Sequence, residues 1–272
     1  MGVQWIKRAA ISIAVVAGLG YLGGLAAMYL LQRDFQYSRA GRLHDLSEAR
    51  LPNAELVSIP SAEGSALAGW YQAPQAGKPA ILYFRGNANS FTHERERLEA
   101  FADAGYGFLA FDYRGFPGSP GEVSETNVLA DAEAAWAWLS AKGFPIVLWG
   151  RSLGSGPASY IASRHEAEAL ALETPFESAV AVAFDRYWFF PVELLMQDQY
   201  RVHEWIKDVE EPVWVGHGTA DTVIGVSHGE RVHALAPNPD ALWIVPGAGH
   251  GDLWAAGIWD EVRGFYERVA GP

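Results

Sequence analysis

The sequence has no cysteine among its 272 residues, which excludes a disulfide framework, a thiolate nucleophile and a cysteine-ligated metal site. It is also poor in positive charge, with 20 Lys and Arg against 32 Asp and Glu and a formal net charge of −12. Such an acidic chain carries no basic patch for nucleic acid and disfavours polyanionic substrates. Hydrophobic residues make up 50% of the chain, so the sequence favours one large α/β domain with a sizeable core.

Charge is almost missing from the first 31 residues, which hold only Lys7 and Arg8. Residues 9–31 carry no charged side chain, and as a helix they are long enough to cross about 30 Å of hydrocarbon. A cleaved signal peptide is disfavoured because its apolar core is usually shorter and ends at a small-x-small cleavage site. A buried core helix is the other alternative. The pattern predicts an uncleaved single-pass membrane anchor over residues 1–34.

The orientation of this anchor depends on the positive charges on its two flanks. Lys7, Arg8 and the amino terminus favour a cytoplasmic N-terminus, but three arginines on the other flank nearly balance them: Arg33, Arg39 and Arg42. We expect the folded domain to lie outside the cytoplasm. Residues 35–54 are polar and aperiodic and predict a membrane-proximal linker.

Eight strand-like runs and intervening helical patterns follow the linker. The first two runs, joined by the turn-prone residues 62–65, predict an antiparallel hairpin, and the later alternation predicts a mostly parallel sheet with helices on both faces. The strand-like runs are residues 55–60, 66–73, 80–84, 106–111, 146–149, 169–172, 213–216 and 241–245; the helical patterns include 93–104, 125–142 and 253–269. An aromatic insert at 176–207 predicts a small helical cap within a domain of residues 55–272.

The most informative motif is Gly150-Arg151-Ser152-Leu153-Gly154, which follows the apolar run 146–149. A β-branched run that ends in G-x-S-x-G and precedes a helix predicts the nucleophile elbow of an α/β-hydrolase fold. The glycines two residues before and after Ser152 let strand and helix pass closely, and the serine hydroxyl then projects above the sheet. For this motif alone, a Gly/Ser-rich loop without chemistry is the alternative.

A serine hydroxyl becomes nucleophilic when a histidine takes its proton and a carboxylate orients that histidine. In this fold the acid, and then the histidine, follow the nucleophile along the chain. His250 lies in a glycine-rich turn after the last predicted strand, and the other seven histidines fit this position less well. Asp221 follows the strand at 213–216 and is the predicted acid. Its rival is Glu173, which follows the preceding strand.

Acyl transfer also needs amide donors for the oxyanion of the tetrahedral intermediate. The amide of Leu153, at the start of the elbow helix, is the first predicted donor. The second is the backbone amide of Asn87, in the loop 84–90 after the third strand. An ordinary glycine turn is the alternative for this loop.

In this order, the segments resemble the BEM46-like, or ABHD13/ABHD17-like, α/β-hydrolases, relatives of the serine aminopeptidase and monoglyceride lipase group. The resemblance covers about residues 35–270, and its motifs are Gly69-Trp70-Tyr71, Gly86-Asn87-Ala88, residues 112–119, residues 150–154, Thr174-Pro175-Phe176, residues 217–221 and Gly249-His250. It implies a serine hydrolase of acyl esters or thioesters, with Ser152 as nucleophile, Asp221 as acid and His250 as base. A single N-terminal membrane segment is frequent in this family.

Four residues around these motifs need separate interpretation. Position 85 is Arg where the family usually has His, so we expect the packing of the loop and the charge of the pocket to differ. Asp112 and Arg114 are interpreted as a structural pair that supports the site. His217 is interpreted as a residue that structures the turn before Asp221.

The sequence therefore predicts an enzyme that cleaves carboxylic esters or thioesters, a reaction that requires no metal or organic cofactor. The aromatic cap and the anchor make a lipid-like acyl substrate attractive, although core packing and cellular address also explain these two features. An amidase or aminopeptidase with the same triad is the alternative among enzymes. A membrane-tethered binding module that keeps the fold without activity is the alternative of a different class.

Overall fold

One eight-stranded sheet organises the chain after residue 54. The computed structural model describes residues 2–61 and 64–271; the predicted turn residues Ala62 and Glu63 and the predicted domain ends Met1 and Pro272 lie outside them. In chain order the strands are β1 Glu55–Pro60, β2 Ala66–Gln72, β3 Ala80–Phe84, β4 Gly107–Phe111, β5 Ile146–Arg151, β6 Ala169–Glu173, β7 Val213–Gly218 and β8 Pro239–Val245. All eight predicted strands are present: β1 and β3 have the predicted bounds, and the ends of the others are shifted by at most two residues.

The strand order is β1-β2-β4-β3-β5-β6-β7-β8. As predicted, β1 and β2 form an antiparallel hairpin, and β2 is also antiparallel to β4. Every later pair is parallel. The chain leaves β3 for β4 on one side and then returns to β5 on the other side. This reversal opens a crevice at the carboxyl ends of β3 and β5, where ligands bind in open α/β sheets.

Helices cover both faces of the sheet. In the described residues the helices are α1 Gly2–Gln36, α2 Arg95–Asp103, α3 Glu125–Ser140, α4 Ser155–Ala162, α5 Ala179–Tyr187, α6 Val192–Leu195, α7 Val202–Trp205, α8 Val226–Leu235 and α9 Ile258–Val269. Of these, α2 and α9 pack on one face of the sheet and α3, α4 and α8 on the other. The last helix was predicted from residue 253 but begins at Ile258. Gly257 has a φ of 93°, a left-handed conformation that separates the helix from the preceding turns.

The core is divided into two apolar layers by the alternation of side chains along each strand. In β3, for example, Leu82 belongs to the layer under α3, α4 and α8, whereas Ile81 belongs to the layer under α2 and α9. All five residues of β3 are buried, as expected of a central parallel strand with helices on both sides. These layers hold the strand ends, and thus the loops that follow them, at fixed positions.

The N-terminal helix is long and apolar enough to cross a membrane. Its candidate span, Val3–Gln36, has a mean hydropathy of 1.9 in its most apolar window, and none of that window is buried. The helix continues two residues beyond the predicted anchor end at residue 34. Within the predicted linker, Tyr37 and Leu51 are buried and Leu46–Glu48 forms a 3₁₀ turn.

The helix α1 lies alongside the insert that contains α5 and α6. The ring of Tyr21 stacks on Phe190 with 5.3 Å between centroids, and its hydroxyl donates to the Phe189 carbonyl at 3.1 Å. Nearer the C-terminal end of α1, Arg33 forms an ion pair with Asp198 at 3.0 Å. The predicted cap is therefore helical. It contacts the predicted anchor at two positions along α1, Tyr21 and Arg33.

Candidate active site

The predicted elbow is a strained turn between β5 and α4. Ser152 has a φ of 50°, which costs a non-glycine residue on the order of 1–3 kcal/mol and is typical of functional sites. Gly150 and Gly154, on either side of Ser152, leave no room for a larger side chain. A Cβ at Gly154 would lie 2.0 Å from the Phe84 carbonyl oxygen, and one at Gly150 would lie 2.7 Å from the Gly154 carbonyl oxygen. The sequence folds this way because larger side chains would push the strand and the helix apart.

The structure brings the three predicted side chains into one hydrogen-bonded line. Ser152 Oγ lies 2.9 Å from His250 Nε2, and His250 Nδ1 lies 2.7 Å from Asp221 Oδ2. The Asp221 side chain is fully buried, whereas the imidazole is 21% exposed and can be reached from solvent. Since an ionised carboxylate only accepts, Nδ1 carries the proton and Nε2 is free to accept the serine proton. The catalytic roles themselves stay predictions.

Asp221 sits in a nest of donors that keeps it ionised. Its Oδ1 accepts from the amides of Val223 and Ile224 at 2.8 and 2.9 Å, and His217 Nε2 lies 3.3 Å from Oδ2. Burial alone raises the pKa of Asp221, but the hydrogen bonds from His217, His250 and the Ile224 amide outweigh it and hold the pKa well below the ordinary value. His217 Nε2 also bonds the Ile224 carbonyl at 2.8 Å, which confirms the predicted role of His217 in the turn.

The loops after β7 and β8 are joined by their own hydrogen bonds. The Ala220 amide donates to the Ala248 carbonyl at 2.9 Å, and the Gly247 amide donates to Thr219 Oγ1 at 2.9 Å. In the histidine loop, Asp252 accepts from the Gly249 amide at 2.7 Å. Neighbouring parallel strands thus deliver acid and histidine together, although they are 29 residues apart.

The rival acid, Glu173, does not contact His250 and is occupied by other partners. Arg97 donates to both its oxygens at 2.7 and 2.8 Å, and Arg151 and the Trp149 indole each donate at 3.2 Å. Burial alone raises the pKa of Glu173, but the two guanidinium groups outweigh it and lower the pKa below the ordinary value. Sequence reasoning missed Arg97, because its partner Glu173 is 76 residues away along the chain.

Asp221 and Glu173 predict how stability depends on pH. Both pKa values are lower in the folded protein than their ordinary values of 3.8 and 4.5, so each contributes stability that is complete above about pH 4.5. That stability is lost progressively as the pH falls below the ordinary pKa values towards the lower pKa values of the folded protein. We expect the thermal midpoint, followed by tryptophan fluorescence from pH 7 to pH 3, to fall below about pH 4.5. The thermal midpoint of Asp221→Asn should fall less steeply with decreasing pH. A slope identical to that of the wild type would contradict the lowered pKa of Asp221.

The predicted oxyanion loop lies directly over the serine. A Cβ at Gly86 would lie 3.6 Å from Ser152 Cβ, and Gly154 packs against the carbonyls of Phe84 and Arg85. Asn87 follows Gly86, just as Leu153 follows Ser152, so both predicted amide donors lie one residue from this contact. At position 86 the loop is thus in van der Waals range of the nucleophile's own side chain.

The predicted pairing of Asp112 with Arg114 is wrong, because each has another partner. Asp112 pairs with Arg85, both fully buried, and Arg114 pairs with Asp131 of α3 at 2.7 Å. Position 85 follows β3 and position 112 follows β4; these strands are adjacent, so the two residues meet. Burial raises the pKa of Asp112 to about 6, against the opposing effect of Arg85. Arg85 therefore contributes packing rather than charge at the pocket surface.

One cavity lies within the cap-like insert rather than over the serine. It has a volume of about 580 Å³ and is lined by residues between Glu177 and Leu194, which include Phe184 and Phe190 but no member of the predicted triad. Among residues 2–61 and 64–271, no group of three or more His, Asp or Glu side chains is arranged to hold a metal ion.

Fold and site together define a class of protein. A mostly parallel eight-stranded sheet with a strained serine after β5, and with an acid and a histidine after the last two strands, is the α/β-hydrolase arrangement. The family model described as alpha/beta hydrolase fold matches residues 79–190. An uncharacterized protein of Mycobacterium tuberculosis is 32% identical over 275 residues, which cover 97% of this chain and 98% of that protein. The chain belongs to the α/β-hydrolase family.

Two further similarities refine this membership. The alpha/beta hydrolase domain-containing protein 17C of Homo sapiens is 38% identical over 154 residues, which cover 53% of this chain and 44% of that protein. The predicted resemblance to ABHD17-like proteins is thereby confirmed, over about half of each chain. An esterase of Pyrococcus furiosus, a solved structure, matches 86% of this chain and 98% of its own with a TM-score of 0.70 and 21% identity. That likeness shows the fold alone.

Proposed function

We propose that this protein is a serine hydrolase that cleaves carboxylic esters or thioesters through a covalent acyl-enzyme. The observation that carries the proposal is the unbroken line from Ser152 Oγ through His250 to Asp221, with hydrogen bonds of 2.9 and 2.7 Å. In such a line the imidazole accepts the serine proton and the carboxylate stabilises the resulting imidazolium. Membership of the hydrolase family supports the same class of reaction.

In the proposed reaction, Ser152 Oγ attacks the acyl carbonyl carbon while its proton moves to His250 Nε2. The amides of Leu153 and Asn87 donate to the oxyanion that forms. When the intermediate collapses, the bond from the carbonyl carbon to the leaving oxygen or sulfur breaks, and His250 returns the proton to the leaving group. Water then attacks the acyl-serine by the same steps, which release the acid and the free serine.

The proposed substrates are lipid-like acyl esters, because the cap-like insert exposes an apolar surface. The insert bears apolar side chains with large exposed fractions, among them Phe184 at 55%, Trp188 at 70% and Leu194 at 84%. Clusters of this kind mark surfaces for apolar partners. They lie on the same insert that α1 contacts through Tyr21, so a membrane around α1 would lie next to them.

The proposed cellular arrangement is a single-pass membrane protein. Residues 1–34 form the anchor, 35–54 the membrane-proximal segment and 55–272 the hydrolase domain, which lies outside the cytoplasm. The apolar helix Val3–Gln36 supports the anchor. The charges of Lys7 and Arg8 before the apolar run support the orientation.

A panel of p-nitrophenyl esters of increasing acyl length, with matched thioesters and p-nitroanilides, tests the reaction class. We expect kcat/KM to rise with acyl length, because longer chains bury more apolar surface at about 0.8 kcal/mol per CH₂. Anilide turnover should be slower than ester turnover. Faster anilide turnover would instead identify an amidase. If a fluorophosphonate probe does not label the protein, the protein is a binding module rather than an enzyme.

A further inference from the structure

The side chain of Asn87 connects the oxyanion loop to the segment that leaves the N-terminal helix. Its Nδ2 donates to the Gln36 carbonyl at 2.6 Å, and its Oδ1 accepts from the Ser38 amide at 3.1 Å. Residues Ser38 and Ala88 also form a parallel β-bridge. One carboxamide thus satisfies both the last carbonyl of α1 and the first amide after Tyr37, while its own backbone amide is the proposed oxyanion donor.

The segment that holds Asn87 is itself fixed to the domain. Tyr37, between the two bonded positions, is 2% exposed, and its hydroxyl lies 2.9 Å from the Tyr200 hydroxyl and 3.1 Å from Asp198 Oδ2. Tyr200 in turn packs on α4 of the elbow, where a Cβ at Gly156 would lie 2.7 Å from its ring. The segment Gln36–Ser38 and the nucleophile therefore share one rigid frame.

The loop is held from its other side by Arg85. The Arg85 Nη1 group donates to the Gly86 carbonyl at 2.7 Å and the Ala88 carbonyl at 3.3 Å, which belong to the residues before and after Asn87. Its guanidinium carbon lies 4.2 Å above the centre of the Phe116 ring. The backbone of the loop is thus held by Arg85, and the side chain of Asn87 adds hydrogen bonds to the last carbonyl of α1 and to the Ser38 amide.

We infer that Gln36–Ser38 and the Asn87 side chain position the oxyanion amide, so that the exit of the N-terminal helix is part of the catalytic apparatus. The inference rests on the proposed serine hydrolase function. Asn87 then has two roles: its backbone amide stabilises charge, and its side chain is a positioning group. Because a displacement of about 1 Å at a catalytic group can cost roughly 100-fold in rate, releasing this side chain has a measurable effect.

The test is Asn87→Ala in the full-length protein in detergent, which keeps the backbone amide and removes both side-chain bonds. We expect kcat for a soluble p-nitrophenyl ester to fall about 10- to 100-fold while KM stays within about 2-fold, because an oxyanion contact is made mainly in the transition state. The inhibition constant of a trifluoromethyl ketone, which forms the same oxyanion on the serine, should rise in proportion to the loss in kcat/KM.

Arg39→Ala is the matched control, because Arg39 follows the segment Gln36–Ser38 and its exposed side chain pairs with the exposed Asp34 of α1. It should leave kcat and the inhibition constant unchanged. If Asn87→Ala does not fold, Asn87→Asp tests the inference instead. It replaces the donor to the Gln36 carbonyl with an oxygen, so it should lower kcat as well. A role confined to capping α1 would lower the thermal midpoint alone.

The possible results separate this inference from the proposed function. Wild-type kcat and an unchanged inhibition constant in a folded Asn87 variant overturn the inference, while turnover that depends on Ser152 still supports the hydrolase. A wild-type protein without turnover that depends on Ser152 overturns the proposed function, and the inference falls with it.

Discussion

Replacing Ser152 by alanine should lower kcat for every ester that the wild-type protein hydrolyses by about 10⁵- to 10⁶-fold. The variant keeps the loop over the serine, the imidazole and the buried carboxylate, but it has no oxygen to attack the carbonyl or to carry the acyl group. The 2.9 Å contact with His250 Nε2 is the one that is lost. Steady-state kinetics and fluorophosphonate labelling, both on protein purified in parallel, measure this effect.

Ser163→Ala is the matched control, because Ser163 follows the last residue of α4 and its hydroxyl donates to the Tyr160 carbonyl at 2.8 Å, away from the proposed triad. It should retain wild-type kcat and labelling. Both variants should unfold near the wild-type temperature. Ester turnover and labelling that persist in Ser152→Ala would disprove the nucleophile assignment.

Asp221→Asn should lower kcat by about 10⁴-fold at neutral pH. The replacement keeps the size of the side chain, but an amide that donates to His250 stabilises the tautomer with its proton on Nε2. That tautomer cannot accept the proton of Ser152. The two backbone amides that now bond Asp221 Oδ1 would still find an oxygen acceptor, so the loop should keep its structure.

Glu173→Gln distinguishes this acid from its rival. Glu173 neutralises Arg97 and Arg151 in a buried network, and leaving such charges without their partner costs about 3–5 kcal/mol. We expect a thermal midpoint lower by roughly 10 °C but a kcat within about 10-fold of wild type for folded protein. If Glu173→Gln loses activity while Asp221→Asn retains it, the catalytic acid is Glu173.

The sequence predicts well those features that depend on position along the chain. Ser152, Asp221 and His250 follow strands, and strands are visible as apolar runs between turn residues. Since parallel strands end at one edge of the sheet, side chains after three such strands converge without any knowledge of detailed packing. They meet because β5, β7 and β8 all lie in the same half of the sheet.

Side-chain partners depend on strand order, and here the sequence misleads. Asp112 and Arg114 are two residues apart and of opposite charge, which suggests a pair. The structure instead places β4 beside β3, so that Asp112 meets Arg85, while Arg114 turns towards α3 and Asp131. The hydrogen bonds of the Asn87 side chain could not be predicted from the sequence either. Its partners, Gln36 and Ser38, lie about 50 residues earlier in a stretch without periodicity.

The position of His250 after the last strand has a consequence for biosynthesis. More than two hundred residues separate Gln36, where α1 ends, from this base. At about 5–20 residues per second, a ribosome finishes the hydrophobic helix roughly 10–40 s before it adds the histidine. The proposed anchor therefore has time to reach a lipid bilayer before the proposed triad is complete.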